Sequence, residues 1–508
     1  MIDLLTTLVV LAAGGVPAAL RWLRVAQREH YLAPWTTRFA RRWHLLDRTN
    51  QALLAVAAIA ALMAFVAGPF ALLTAAVAVV APVGLPIRGR TSPLNWTRRL
   101  RTVAAVTAAI SVLAVVVGLL VGVGPAVAAV VVVAMPAIVD AALALLAPAE
   151  RRAAARFVEQ ASTRLRAVDP TTVAITGSYG KTTTKVLVDH LLREQVAVVA
   201  SPASFNNTAG LSRSVNEHLA DDTAVFVAEM GTYGPGEIRS MCAWVQPDIG
   251  VMTAIGPVHL ERMLTLDGIV EAKREILEGA SAGVLNVDAH GLAKVADEVE
   301  ADGLPVVRCS TTDEGADVHV RRLDDGLRVV VRGEVLATEV EIDADASNVA
   351  CALGIALALE VDAAAVVDRL SSAPTAKNRR ETVTAESGAT IIDDTFNSNP
   401  DGAVAALAQL RRLASPDRKA IVVTPGMIEL GELQTAENQR FAERAAEAAT
   451  HLLLVGRTNL AALRTGAGRG RAEVLEFATR DEAVTWVRAH TARGDVVLYE
   501  NDLPDHFP

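Results

Sequence analysis

The run Thr176-Gly177-Ser178-Tyr179-Gly180-Lys181-Thr182-Thr183 has the residue types and spacing to hold a phosphate. It lies between an apolar run, Val173 to Thr176, with the texture of a strand, and a segment from 181 to 193 with that of a helix. In that setting the glycines let backbone N–H groups approach phosphate oxygens, and the helix N-terminus favours the anion. Lys181 can reach the outer phosphates of ATP, and the Thr182 hydroxyl can ligate Mg²⁺. A glycine turn that merely starts a helix is the bland alternative. The position six before Lys181 is Ile175, not the glycine of the general phosphate loop, so this is a shortened form.

The elements around this loop read as α/β. From Thr171 strand and helix patterns alternate, with Ala224 to Ala228 as a strand before Glu229, which implies a mainly parallel sheet. Residues 317 to 342 alternate with period two (Val318, Val320, Leu323, Leu327, Val329, Val331, Val335) and predict a small antiparallel insert. A helix over 347–371 follows, and a second α/β unit begins near Arg379. The three cysteines, Cys242, Cys309 and Cys351, form no CxxC pair, which argues against a disulfide framework or a cysteine-built zinc site.

The first 150 residues have another character. The chain is 508 residues long and 52% hydrophobic, too apolar for a wholly soluble protein. Its net charge of −9 divides into +7 over residues 1–150 and −16 over the rest. Residues 51–87 and 103–139 hold no acid, lysine or arginine, and each fits a helical hairpin, divided at Gly68-Pro69 and at Gly122 to Pro125. The expected spans are 3–20, 51–67, 70–86, 103–122 and 126–147. The first is taken as an uncleaved anchor because Asp3 is its only early charge, where a signal peptide carries basic residues. Arg21, Arg24, Arg28, Arg38, Arg41, Arg42 and Arg48 fill one loop and Arg88, Arg90, Arg98, Arg99 and Arg101 another, which places both loops in the cytoplasm. Five spans then put the N-terminus outside and everything after about residue 148 inside, a multi-pass protein of the inner membrane with its catalytic part where ATP is. Trp22, Trp35, Trp43 and Trp96 suit interfacial anchors or packing within the loops equally. Asp140 is expected to snorkel from a span end.

Further blocks follow the phosphate loop in a fixed order. They are Ser204-Phe205-Asn206-Asn207-Thr208-Ala209-Gly210, Glu229-Met230-Gly231 with Pro235-Gly236-Glu237-Ile238, Ile255-Gly256-Pro257-Val258-His259-Leu260-Glu261, and Ala272-Lys273-Arg274-Glu275-Ile276. Asp393-Asp394-Thr395-Phe396-Asn397-Ser398-Asn399-Pro400 and Gly426-Met427-Ile428-Glu429-Leu430-Gly431 come later. Together these resemble the Mur ligases, over about residues 165–500, and within them the D-alanyl-D-alanine-adding branch.

The apolar pattern makes 1–150 a transmembrane region, and the resemblance implies a central ATP-binding domain over 151–376 and a Rossmann-like C-terminal domain over 377–508. It implies an ADP-forming amide-bond ligase of cell-wall precursor synthesis that uses ATP and Mg²⁺, with no nucleic acid. Such an enzyme phosphorylates a carboxylate and lets an amine displace the phosphate, so Mg²⁺ and positive groups must offset the repulsion of anions. Glu229, His259 and Thr182 match the family's magnesium ligands, and Lys273 matches a lysine carbamylated by CO₂. Alone, Glu271 to Glu275 would read as a solvated helical face. Asn206 and Asn207 match substrate contacts, Asn348 the asparagine near adenine, and Arg379 the arginine that opens the C-terminal domain. Asp394 and Asn399 would face the phosphates after closure. Ala344, Phe396 and Asn438 depart from the family's histidine, tyrosine and histidine, which reads as a change of substrate.

Spans stand where soluble relatives carry a domain for the UDP-sugar, so the expected acceptor is lipid-linked or delivered at the membrane, and the donor an amino acid or dipeptide. Membrane-bound poly-γ-glutamate synthases offer a parallel. The competing readings are a transporter driven by the phosphate loop and a non-catalytic scaffold for wall enzymes. Polar-poor spans and the lack of a Walker B run argue against the first. The presence of Lys181, His259 and Lys273 argues against the second.

Overall fold

The computed structural model describes all residues except 1, 90–92, 203–204, 259, 325, 343, 375–380, 396–397, 504–506 and 508. Of the positions singled out above, Arg90, Ser204, His259, Arg379, Phe396 and Asn397 therefore lie outside the described residues. The chain forms two compact units, 1–153 with 503–508, and 154–502.

In the larger unit the apolar strand β1 (Thr171–Thr176) is central to a nine-stranded sheet with β2 (Val198–Ala200), β3 (Val225–Glu229), β4 (Ile249–Met252), β5 (Ala282–Asn286), β6 (Val306–Ser310), β7 (Val318–Leu323), β8 (Gly326–Val331) and β9 (Glu334–Val340). The spatial order is β2-β3-β1-β4-β5-β6-β7-β8-β9. Pairing is parallel as far as β7, as the alternation of strand and helix requires, and the buried strands carry Val, Ile and Ala on both faces. The antiparallel element expected at 317–342 is β7 to β9, but it is no separate insert. Cys309 pairs with Val318, so the meander extends the main sheet.

The helix expected over 347–371 is broken into Ala346–Ala358, Ala363–Val367 and a final short turn at Leu370–Ser372. Glu360 takes a left-handed φ of 57°, and the Asp362 side chain accepts from Ala364 N–H to start the next helix. One face of the sheet buries Val188, Leu191 and Ile355, and the other buries Leu211, Ile238 and Ile269.

The same unit contains a second sheet: β10 (Glu381–Thr384), β11 (Thr390–Asp394), β12 (Ala420–Thr424), β13 (His451–Val455), β14 (Glu473–Phe477) and β15 (Val496–Glu500), ordered β10-β11-β15-β12-β13-β14. All its pairings are parallel except β10 with β11. The carboxyl ends of β11 and β15 lie side by side, so Asp394 is paired in register with Glu500.

The smaller unit is helical. Turns at 64–69 and 121–123 make the two hairpins expected from the Gly-Pro punctuation. The five expected spans are not reproduced. Among the described residues two helices are long and apolar enough to cross a membrane, Ile2–Arg28 and Arg98–Leu120, or up to four if each bent pair, Trp35–Leu45 with Arg48–Met63 and Gly124–Val133 with Met135–Val168, is one span. Phe70–Val80 has 11 residues; at 1.5 Å per residue this is about 17 Å, against a hydrocarbon core of ~30 Å.

Arg21 and Arg24 are also not loop residues. They are buried on the helix Val16–Arg28, where the Arg21 guanidinium donates to the carbonyls of Ala78, Val79, Ala81 and Leu85 and so closes the end of Phe70–Val80. Trp22 and Trp43 are buried and Trp96 is exposed, so the first two pack within the unit.

Asp140 does not snorkel. It is 7% exposed, and its carboxylate accepts from Thr36 N–H at 3.2 Å, Thr37 N–H at 2.8 Å and the Thr37 hydroxyl at 2.6 Å. These are orphan donors of the first turn of Trp35–Leu45, where Pro34 precedes the helix and offers no side-chain cap. Asp140→Ala should therefore destabilise the protein by about 1–2 kcal/mol. Thermal unfolding of the purified protein would measure this, and a Tm equal to wild type would remove the capping role.

Candidate active site

Register places the site. β1 runs between β3 and β4, with Ile175 opposite Glu229 on one side and Thr176 opposite Met252 on the other. The loop after β1 is thus flanked by Glu229 and by the segment that begins at Thr253. A ligand crevice at the carboxyl ends of parallel strands is the general arrangement of open α/β sheets.

The loop is closed by glycines that tolerate no side chain. A Cβ on Gly177 would lie 2.1 Å from Thr253 Oγ1, and one on Gly180, at φ +84°, would lie 2.3 Å from Asn348 Oδ1. Thr253 Oγ1 donates to the Tyr179 carbonyl at 2.6 Å, and Ser178 Oγ bonds both the N–H and the carbonyl of Gly256. The loop therefore holds its shape through its neighbours.

Three lysines converge here. Lys181 Nζ donates to the Gly177 carbonyl at 2.6 Å and to that of Ser178 at 3.3 Å. Lys273 Nζ donates to the same Gly177 carbonyl at 3.0 Å. It lies in the last turn of Leu266–Arg274, a helix started by the Thr265 side chain, and it is 3% exposed. The solvated face that mixed charge alone suggested is thus excluded. Burial, and then the charge of Lys181, hold the Lys273 amine well below its ordinary range.

The third, Lys185, was not picked out from the sequence. It donates to Glu229 Oε2 at 2.8 Å in a fully buried ion pair. Its signal was available: one turn beyond Lys181, it shares that residue's helical face.

Glu229 is 1% exposed and also accepts from Thr182 Oγ1 at 3.0 Å and Asn206 Nδ2 at 3.2 Å. Burial pushes its carboxyl up. The charges of Lys185 and Lys181, with hydrogen bonds from Lys185 and Thr182, outweigh this and leave it below its ordinary value.

The other predicted residues divide into two groups. Thr183 follows Thr182 on the helix Lys181–Leu192, and Asn348 lies against Gly180 and Thr184. Asn207 and Asn399 cap the helices Thr208–His218 and Pro400–Leu413, each side chain accepting from an N–H at 2.9 Å. Asp394 is buried beside Glu500, whose Oε1 accepts from Ser398 Oγ at 2.5 Å, and Asn501 N–H donates to the Asp394 carbonyl. Glu500 and Asn501 were missed, although they end an apolar strand where α/β sheets collect functional groups.

Asn438 has a structural role and does not support the expected change of substrate. It is fully buried, accepting from Met427 N–H and donating to the carbonyls of Met427 and Gln434, and so clamps the Gly426 to Gly431 loop.

The donor set suits Mg²⁺, which takes one or two carboxylates and leaves room for phosphate oxygens and water. Glu229 and Thr182 supply such oxygens, and the loop and lysines suit a polyphosphate.

Two family models match the chain, the Mur ligase middle domain over 175–356 and the Mur ligase, glutamate ligase domain over 378–499. The UDP-N-acetylmuramoyl-tripeptide–D-alanyl-D-alanine ligase of Mycobacterium leprae is 31% identical over 381 residues, 68% of this chain and 74% of that protein. The chain belongs to the Mur ligase family. A ligase of the same description from Bacillus subtilis is 28% identical and covers 65% of this chain and 72% of its own length.

Two solved structures share the Mur ligase fold. MurF from Thermotoga maritima in complex with ADP has a TM-score of 0.58 at 22% identity, covering 69% of this chain and 80% of its own. A MurF from Acinetobacter baumannii has a TM-score of 0.58 at 23% identity, covering 69% and 77%. Mur ligases are ATP-dependent, magnesium-using enzymes that form amide bonds, and this chain is an enzyme of that class.

Lys185→Met should destabilise the Mur ligase by about 3 kcal/mol, because it leaves Glu229 buried without its partner. Adding Glu229→Gln should restore part of that stability without restoring activity. Because the folded-state value of Glu229 is depressed, its contribution is fully present above about pH 4.5 and is lost as pH falls below that. The stability difference between wild type and Glu229→Gln, measured by denaturant titration across pH, should therefore shrink on the acid side. A difference independent of pH would contradict the pairing.

Proposed function

We propose that this chain is a membrane-anchored ligase that joins an amino acid or dipeptide to the carboxylate of a cell-wall precursor. The observation that carries the reading is the convergence of Lys181, Lys185 and Lys273 with Glu229 and Thr182 around the end of β1. In such a site the acceptor carboxylate attacks the terminal phosphorus of ATP and ADP leaves. The amine then attacks the acyl carbon, inorganic phosphate departs with the carboxylate oxygen, and the amine loses its proton. Lys181 and the loop N–H groups offset the charge of the phosphoryl in flight, with His259 and Arg379 as further candidates from the sequence.

A second part of the proposal concerns Lys273. Its burial favours the neutral amine, which is the form that adds CO₂, releasing one proton and leaving an anionic carbamate at the phosphate loop, where Mg²⁺ is expected. Acidification reprotonates the amine and removes the carbamate. With ¹³C-bicarbonate, one carbamate resonance should appear in wild type and be absent in Lys273→Met, and activity should fall when CO₂ is stripped and return on adding bicarbonate. An unchanged spectrum and unchanged activity would discard it.

The relatives' names describe a UDP-linked muramoyl tripeptide and D-alanyl-D-alanine. For this chain we favour an acceptor presented at a membrane. Helices rich in exposed Leu, Val, Ile and Phe, such as Leu4, Leu5, Leu62, Phe65, Leu113 and Leu120, occupy residues 1–150, outside both family matches. The catalytic part belongs on the cytoplasmic side, where ATP is. An outside N-terminus needs an odd number of crossings, and the shortness of Phe70–Val80 removes the basis for counting five. Mass spectrometry of the product would decide the acceptor: joining to polyprenyl-linked precursors supports this part of the reading, and turnover of the soluble UDP-linked acceptor alone overturns it.

A further inference from the structure

Buried asparagines from three different elements meet on one short loop. Asn438 lies on the helix Gln434–Ala448, Asn459 precedes Leu460–Ala467, and Asn501 follows β15. All are more than nine-tenths buried. Asn438 bonds both the N–H and the carbonyl of Met427. Asn459 Nδ2 donates to the carbonyls of Pro425 at 3.0 Å and Met427 at 2.9 Å, and Asn501 Nδ2 donates to that of Gly426 at 2.6 Å. Gly426 has φ +76°, and a Cβ there would lie 2.3 Å from Asn438 Oδ1 and 2.9 Å from Asn459 Nδ2. Each residue from 425 to 427 is thus held by a side-chain amide. A fully bonded set of buried amides fixes one backbone conformation.

That conformation presents Glu429 to the central domain. Glu429 takes a left-handed φ of 63°, uncommon for a residue other than glycine or asparagine, and strain of this kind collects at functional sites. Its carbonyl accepts from Leu260 N–H at 3.1 Å. This bond joins the loop of the C-terminal sheet to the short helix Leu260–Met263, next to position 259, which the family resemblance assigns to magnesium. Leu260 and Leu430 are both buried. At the other end of the clamp, Asn501 donates its own N–H to the Asp394 carbonyl at 3.1 Å. One set of amides therefore reaches from Asp394 to Glu429.

We infer that Asn459 and Asn501, with Asn438, are positioning residues: they fix the Glu429 carbonyl as the seat for Leu260 N–H and so hold Asp394 and the helix Leu260–Met263 in one relation across the two domains. The inference rests on the ligase reading for its effect on turnover, and on the hydrogen bonds alone for its effect on docking. Loss of one amide leaves the phosphate loop untouched, so nucleotide should still bind while the seated arrangement is less populated.

The experiment makes Asn501→Gly and Asn459→Ala separately in the full-length protein. Asn501 has a left-handed φ of 70°, so glycine keeps the backbone and removes only the amide. The first readout is hydrogen exchange of the Leu260 amide, which needs no substrate. It should rise about 10-fold in each variant while the amides of β12 keep their wild-type rates. The second is phosphate release from ATP with D-alanyl-D-alanine and a UDP-linked or polyprenyl-linked muramoyl tripeptide. There kcat should fall about 10-fold with little change in KM for ATP, as expected when the reactive arrangement is less populated. Wild-type exchange at Leu260 in both variants would overturn the inference. So would a rise shared equally by β12, which is what a merely structural loosening gives. Selective exchange with kcat unchanged would overturn the positioning role. Selective exchange where the wild type itself shows no turnover would instead count against the ligase reading and leave the docking standing.

Discussion

Burying Lys185 against Glu229, and Lys273 against the Gly177 carbonyl of the phosphate loop, is the constraint around which the larger unit is arranged, because a buried charge costs several kcal/mol unless it is paired. Part of that cost is offset within the protein. Lys185 is paired with Glu229, Thr182 and Asn206 supply the remaining hydrogen bonds to the carboxylate, and burial of Lys273 lowers its amine's hold on a proton. What remains is a positive field shared by Lys181 and the loop N–H groups, and a polyphosphate with its magnesium is the species that answers it. A stability-driven core would have used apolar residues at 185 and 273.

The scaffold follows from that requirement. β1 must be central so that β3 and β4 can bring Glu229 and Thr253 to its two sides, and parallel pairing puts all three strand ends at one edge. Helices on both faces then supply lysines from two directions, Lys185 from Lys181–Leu192 and Lys273 from Leu266–Arg274. The C-terminal sheet brings Asp394, Glu500 and Asn501 together at its own carboxyl edge, and the Asn438 clamp keeps the loop carrying Glu429 in shape.

Local motifs were legible in the sequence because their chemistry needs fixed spacing. The phosphate loop, the strand before Glu229 and the turns of the helical hairpins are of this kind. Contacts between distant segments were harder to read. Lys185 could have been found from its helical spacing to Lys181, but its partner is 44 residues away. Asp140 looked like a membrane-edge charge because its capped helix is about a hundred residues earlier in the chain. Asn438 looked like a substrate difference because only the folded loop reveals what it clamps. Counting spans failed for a simpler reason: hydropathy marks apolar chain but not where a helix bends or ends, as at Phe70–Val80.

The most direct test of the account is phosphate release from ATP by the purified protein, with Lys181→Ala as control, when an acceptor carboxylate and an amine are supplied separately and together. The account predicts release above the control only when both are present, in equal amount to the joined product. Release that needs neither partner, or that never exceeds the Lys181→Ala control, would contradict it.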